Sequence, residues 1–145
     1  MSKNNKTKEL VTKISDLSYN KDFTNLQVGD TIAIYQYSYG YEYYYLAKVV
    51  RILKTQIAVE FSNCEHKFYQ NSGYETNSSS FGSSKMIFIP NTEQIEIIKE
   101  LNCRRSVISK VVSLVSRSEN CLDNLTTEKL KEVYQILTNK EEETE

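Results

Sequence analysis

Short runs of period-two alternation, packed closely between residues 31 and 90 and then giving way to helical spacing, constrain this chain more than any other feature. Residues 31–37, TIAIYQY, set Ile32 and Ile34 against Ala33, Tyr35 and Tyr37, as a strand does when its successive side chains point to opposite faces. Residues 44–54 set Leu46, Lys48, Val50 and Ile52 against Ala47, Val49 and Arg51, and QIAVEF then places Ile57, Val59 and Phe61 on one face. Only Lys54, Thr55 and Gln56 separate these two runs, a connection short enough to predict a β-hairpin. HKFYQ supplies a further strand around Phe68, and KMIFIP returns the chain to extended structure. Between them, residues 71–84, NSGYETNSSSFGSS, are nearly all turn formers around Tyr74 and Phe81, which predicts a flexible loop of a length that often carries function. Four or five such strands over 29–90 predict a small antiparallel sheet or an SH3-like barrel.

Helices flank this section. Leu10, Val11, Ile14 and Leu17 have helical spacing within residues 6–17. After Pro90, Asn91 and Gln94 have the spacing of a capping box, predicting a helix from Thr92 towards Arg117. Its apolar stripe runs through Ile97 or Ile98, Leu101, Ile108, Val111 or Val112, and Val115. Thr126 can cap a second helix with Leu130, Val133, Tyr134 and Leu137 on its buried side, so 91–140 reads as a helical hairpin, joined by SENCLDN and followed by an acidic tail at 141–145. The fold class is α+β, in one domain over 1–145, since 145 residues with 39% hydrophobic content can bury a core without a metal or disulfide.

Composition narrows the function. A formal net charge of −1 gives no overall cationic field for polymeric nucleic acid, although Lys3, Lys6, Lys8 and Lys13 crowd one end and Glu141, Glu142, Glu143 and Glu145 the other. Cys64, Cys103 and Cys121 are odd in number and widely spaced, which suits a reducing cytoplasm and neither a disulfide framework nor a zinc site. No apolar run reaches the roughly 20 residues that span a bilayer, and MSKNNKTKEL lacks a signal-peptide core. A soluble cytoplasmic protein is the expectation.

No complete catalytic constellation is visible. His66 is the only histidine, and Cys64 beside it has no third group to orient a nucleophile, so His66 reads as a surface strand residue. None of the four glycines forms a phosphate-cradling loop. No catalysis, metal or cofactor is expected, and the candidates are binding residues. Seven of the eleven tyrosines fall between Tyr35 and Tyr45, where Tyr43, Tyr44 and Tyr45 cannot all point inward, so either an aromatic binding surface or a wet tyrosine-rich hairpin follows. Arg104 and Arg105 interrupt the long helix's stripe between Leu101 and Ile108, which suits a ligand phosphate or an arginine that snorkels or pairs with a glutamate. Lys67, Phe68, Phe81 and Lys85 surround the polar loop, where a ring could stack on a base beside a cation; Phe68 could equally be core, and Asn91 either a ligand contact or only a cap.

The run LAKVVRILKTQIAVEF, then HKFYQNSG, then IPNTEQIEIIKE and a basic helix, resembles the layout of the phage-encoded Thoeris anti-defence sponge family over about residues 27–137. The resemblance implies a protein that captures a cyclic ADP-ribose signal in a recessed pocket, returns it intact, and works as a homo-oligomer, at least a dimer, in the host cytoplasm. Arginines and aromatics would hold pyrophosphate and adenine, and this chain offers Arg104, Arg105, Phe68 and Phe81 by chemistry rather than by matched position. Two other readings stay open beside it: an SH3-like nucleic-acid adaptor, and a protein-binding inhibitor of a host enzyme that docks through the tyrosines.

Overall fold

A computed structural model describes residues 5–76, 83–117 and 122–138. Phe81, Cys121 and the acidic tail expected at 141–145 lie outside the described residues. The chain, expected from its length to form one domain, divides into two compact units, Met1–Arg104 and Arg105–Glu145.

In the first unit a helix α1 (Lys6–Asp16) precedes β1 (Thr31–Ser38), β2 (Tyr41–Ile52), β3 (Gln56–Phe61), β4 (Cys64–Tyr69) and β5 (Ser83–Phe88), and the unit ends within α2 (Thr92–Arg117). The strands form one curled antiparallel sheet in the order β4-β3-β2-β1-β5, so the α+β reading and the strand count hold. Two of the turns take the left-handed geometry that matches strand twist, with Tyr39 and Gly40 at φ 50° and 86° and Ser62 and Asn63 at φ 56° and 62°. A bulge between Val49 and Arg51 shifts the phase, so Arg51 pairs with Ala58 and Ile52 with Ile57. Strict alternation had set Arg51 on the face of Val49; the extra residue moves it to the other.

The stretch expected to be a flexible loop supplies part of the wall. From residues 73 to 76 the chain bonds to both outer strands: Tyr69 N–H donates to Tyr74 O (2.9 Å) and Thr76 N–H to Lys67 O (3.0 Å), while Glu75 N–H donates to Lys85 O (3.2 Å) and Ile87 N–H to Gly73 O (2.8 Å). This strap ties β4 to β5 and converts the curled sheet into a barrel-like wall. Gly73 is required there, because its φ is 82° and a Cβ would stand 2.9 Å from Ile87 O.

Both faces of the sheet are covered, which explains why neighbouring β1 residues Ile32, Ala33 and Ile34 are all buried. Inside the curl, Ile32, Ile34, Val49, Ile57, Val59, Phe68 and Ile87 pack together. On the outer face Ala33, Tyr44, Met86 and Phe88 pack against Val11 and Ile14 of α1 and Ile98 and Leu101 of α2, so the N-terminal helix is part of the core. Asn91 and Gln94 form the expected capping box, Asn91 Oδ1 accepting from Gln94 N–H (2.7 Å) and Gln94 Oε1 from Asn91 N–H (3.0 Å). The buried Gln94 amide also donates to Ile14 O and Ser18 O, fixing α2 to the end of α1.

The second unit holds the rest of α2 and α3 (Thr127–Thr138), where Thr126 Oγ1 accepts from Lys129 N–H as expected of the cap. Its apolar side chains are not buried as the helical spacing implied. Ile108, Val111 and Val115 are 44%, 49% and 48% exposed, and no residue of α3 is buried, with Tyr134 and Leu137 of the expected buried side at 69% and 68% exposed. Two helices alone have no third layer to bury a full stripe each.

Candidate aromatic and ionic site at the mouth of the curled sheet

Alternation places on the inner face not only the apolar cluster but also a set of side chains at one end of it. Ile34 and Gln36 share a face of β1, and in register Ile34 faces Tyr45 while Gln36 faces Tyr43 on one side and Lys85 on the other. Tyr43 and Tyr45 lie nearly parallel, with ring centroids 6.3 Å apart. Tyr45 packs on Phe61 at 4.6 Å, and Phe61 on the His66 ring at 5.9 Å. The strap then contributes Glu75, whose Oε2 accepts from His66 Nδ1 at 3.1 Å and whose Oε1 lies 3.9 Å from Lys85 Nζ.

The result is a continuous circuit around the mouth of the curl, with rings on one arc and ionic groups on the other. The side chains of His66, Glu75 and Lys85 are 24%, 18% and 21% exposed, enough to meet a ligand yet sheltered enough to strengthen their interactions. Because a carboxylate only accepts, His66 Nδ1 carries the proton of that bond and Nε2 is the nitrogen left for another group. A cleft beside the circuit is lined by Arg51, Glu65, His66, Lys67, Glu75 and Thr76. Arg51 there is bound to Glu65, a mostly exposed pair worth little to stability.

Of the residues singled out in the sequence, Lys85 lies on this circuit, with Tyr43 and Tyr45 of the tyrosine-rich run. Phe68 is wholly buried in the inner core and offers no stacking surface, because the alternation that puts His66 at the mouth puts Phe68 one step deeper. Asn91 spends its side-chain oxygen on the α2 cap. Phe81 lies outside the described residues. Arg104 and Arg105, half-buried, follow Leu101 on α2, and Leu101 packs on the face of Tyr44 and Met86, opposite the inner face that carries Lys85. The Arg104 Nε is buried with no hydrogen-bond partner among the described residues. His66, expected to be an isolated surface residue, has a carboxylate partner and belongs to the site.

The tyrosines divide by face. Tyr44 is buried on the outer face and bonded through its hydroxyl to Tyr19, while Tyr35 donates to Glu42 Oε2 at 2.7 Å. Burial, reinforced by these bonds, pushes the Tyr44 and Tyr35 hydroxyls well above the ordinary tyrosine value, and burial raises Tyr19 as well. Tyr37, Tyr39 and Tyr41 at the β1–β2 turn are 43%, 74% and 66% exposed.

Among the described residues no group of three or more His, Cys, Asp or Glu side chains could hold a metal ion, and no helix is long and apolar enough to cross a membrane. No protein-family model, curated protein or solved structure matches the chain.

Proposed function

We propose that this protein binds a small nucleotide-type anion at the mouth of the curled sheet and holds it without chemical change, as a sponge for a cyclic ADP-ribose signal would. One observation carries the reading: a wall of Tyr43, Tyr45 and Phe61 stands on the same circuit as His66, Glu75 and Lys85. Rings give a base a stacking surface worth about 1–3 kcal/mol, and adjacent cations meet phosphate. In this reading Phe61 and Tyr45 take the base, His66 Nε2 meets a polar edge, and Lys85, with Lys67 and Arg51 at the neighbouring cleft, takes the phosphates. Glu75 aims His66 and Lys85. A net charge of −1 with local cations suits a compact anion better than a polymer tracked by many phosphate contacts. The choice of a cyclic ADP-ribose, and the setting of phage counter-defence in a host cytoplasm, come from the layout resemblance.

Calorimetric titration with cyclic ADP-ribose isomers, followed by heat release and chromatography of the nucleotide, tests the reading. Intact recovery of a bound isomer, with binding weakened tenfold or more by Lys85→Ala and by Phe61→Ala, is expected. Absence of heat with every isomer, or recovery of a cleaved product, would sink it. The exposed Tyr37, Tyr39 and Tyr41 favour a second reading, a protein- or nucleic-acid-binding adaptor. A partner captured from host extract and lost on replacing these three tyrosines by serine, with no nucleotide bound, would select it.

A further inference from the structure

On the nucleotide reading above, on which this inference rests, we propose that Gln36 selects the base of the bound ligand. Its side-chain amide pairs with a base edge that sets an amino group beside a ring nitrogen, as adenine does. Gln36 lies two residues beyond Ile34 on β1, on the inner face, and is half-buried. In register it stands between Tyr43 on β2 and Lys85 on β5. Side chains directly opposite each other start roughly 5 Å apart, and diagonal ones, as Gln36 is to Tyr45, about 7–8 Å, so the amide can reach the edge of a ring stacked on that tyrosine.

The fold leaves this amide unused. The amides of Gln70 and Gln94 are held by backbone groups, whereas the Gln36 side chain has no hydrogen-bond partner among the described residues. Stability gives no reason for an amide there: one row deeper Ile34 faces Ile87, and an apolar residue at position 36 would extend that row. Chemistry then divides the work between Gln36 and its two neighbours. A phosphate offers only acceptors, so it would use the amide N–H and leave the amide oxygen facing negative charge; Lys85 Nζ, a cation with donors alone, is the better partner for it. A base edge with an amino group beside a ring nitrogen uses both ends of the amide at once. Tyr43 and Tyr45, nearly parallel at 6.3 Å, supply the ring surface beside it.

Calorimetric titration of the full chain with ADP and with purine riboside 5′-diphosphate, which lacks only the amino group, tests the assignment. The parent is expected to bind ADP roughly tenfold more tightly than the purine nucleotide. In Gln36→Leu, which keeps the bulk of the side chain, that preference should vanish, whereas Lys85→Ala should weaken both nucleotides and preserve it. Equal binding of the two by the parent, or a preference that survives in Gln36→Leu, would overturn the inference and leave the nucleotide reading standing. So would an equal loss for both nucleotides in Gln36→Leu, since the amide would then hold the sugar or the phosphates. Silence of both, together with every cyclic ADP-ribose isomer, would remove the nucleotide reading and this inference with it.

Discussion

The two units use similar apolar chemistry to opposite ends. In Met1–Arg104, valine, isoleucine and phenylalanine on both faces of the sheet are sealed, one set by the curl and the strap, the other by α1 and the start of α2. In Arg105–Glu145 valine, isoleucine and leucine repeat with helical spacing, and those among the described residues stay half in water. A sheet that curls can be its own second layer, whereas two helices have only one shared surface to bury. Apolar periodicity therefore states which face must be covered and not whether the same chain covers it.

The contrast is sharpest in paired truncations. Phe68→Ala should cost about 3–5 kcal/mol, because it opens a cavity in a closed core. Leu137→Ala should change the melting of the sheet by less than about 0.5 kcal/mol. Thermal melting followed by tyrosine circular dichroism separates the two, since Tyr134 is the only tyrosine beyond Arg105. Equal shifts would erase the distinction between the units.

Gly73→Ala probes the device that seals the first unit. A Cβ at φ 82° and 2.9 Å from Ile87 O must push the strap off β5, at a cost of about 1–3 kcal/mol. Hydrogen exchange at the Ile87 amide, bonded to Gly73 O, should speed up more than exchange at Val59. Uniform acceleration of both would mean that the strap is not a separate element.

The smallest effect is alkaline. Tyr44 keeps its proton in the folded protein well above the ordinary value of 10.0, first through burial and then through its bond to Tyr19. The unfolded chain loses that proton earlier, so the associated stability is complete below pH 10 and declines as pH rises beyond it. Melting temperatures of the sheet should fall from pH 10 to 11, and Tyr44→Phe should flatten part of that fall. A variant as pH-sensitive as the parent would place the titration elsewhere.

Much of the first unit was legible because its signals are local. Alternation gave the strands, Lys54 and Thr55 the tight β2–β3 turn, and Asn91 with Gln94 the start of α2. The bulge at Val49–Arg51 was hidden, since one inserted residue leaves composition untouched while reversing the faces. Glu75 was hidden for another reason: it sits among turn formers with no period, and its partners His66 and Lys85 come from strands that pair with it only after the sheet has curled. The placement of His66 on the face of Phe68 and Phe61 was legible from spacing alone, and would have pointed to the mouth. Arg104 and Arg105 drew attention because they break a stripe, yet the division into two units falls between them, and Leu101 before them packs on the outer face of the sheet.

The strap has one more consequence. An open sheet ends in rows of unsatisfied backbone donors and acceptors that any extended chain can pair with. Here Gly73–Thr76 occupies facing positions on both β4 and β5, so neither border is a free template for adding a strand. Fibril-like growth by strand addition is blocked at those positions, and a partner that approaches the two borders there meets side chains rather than a row of free backbone groups.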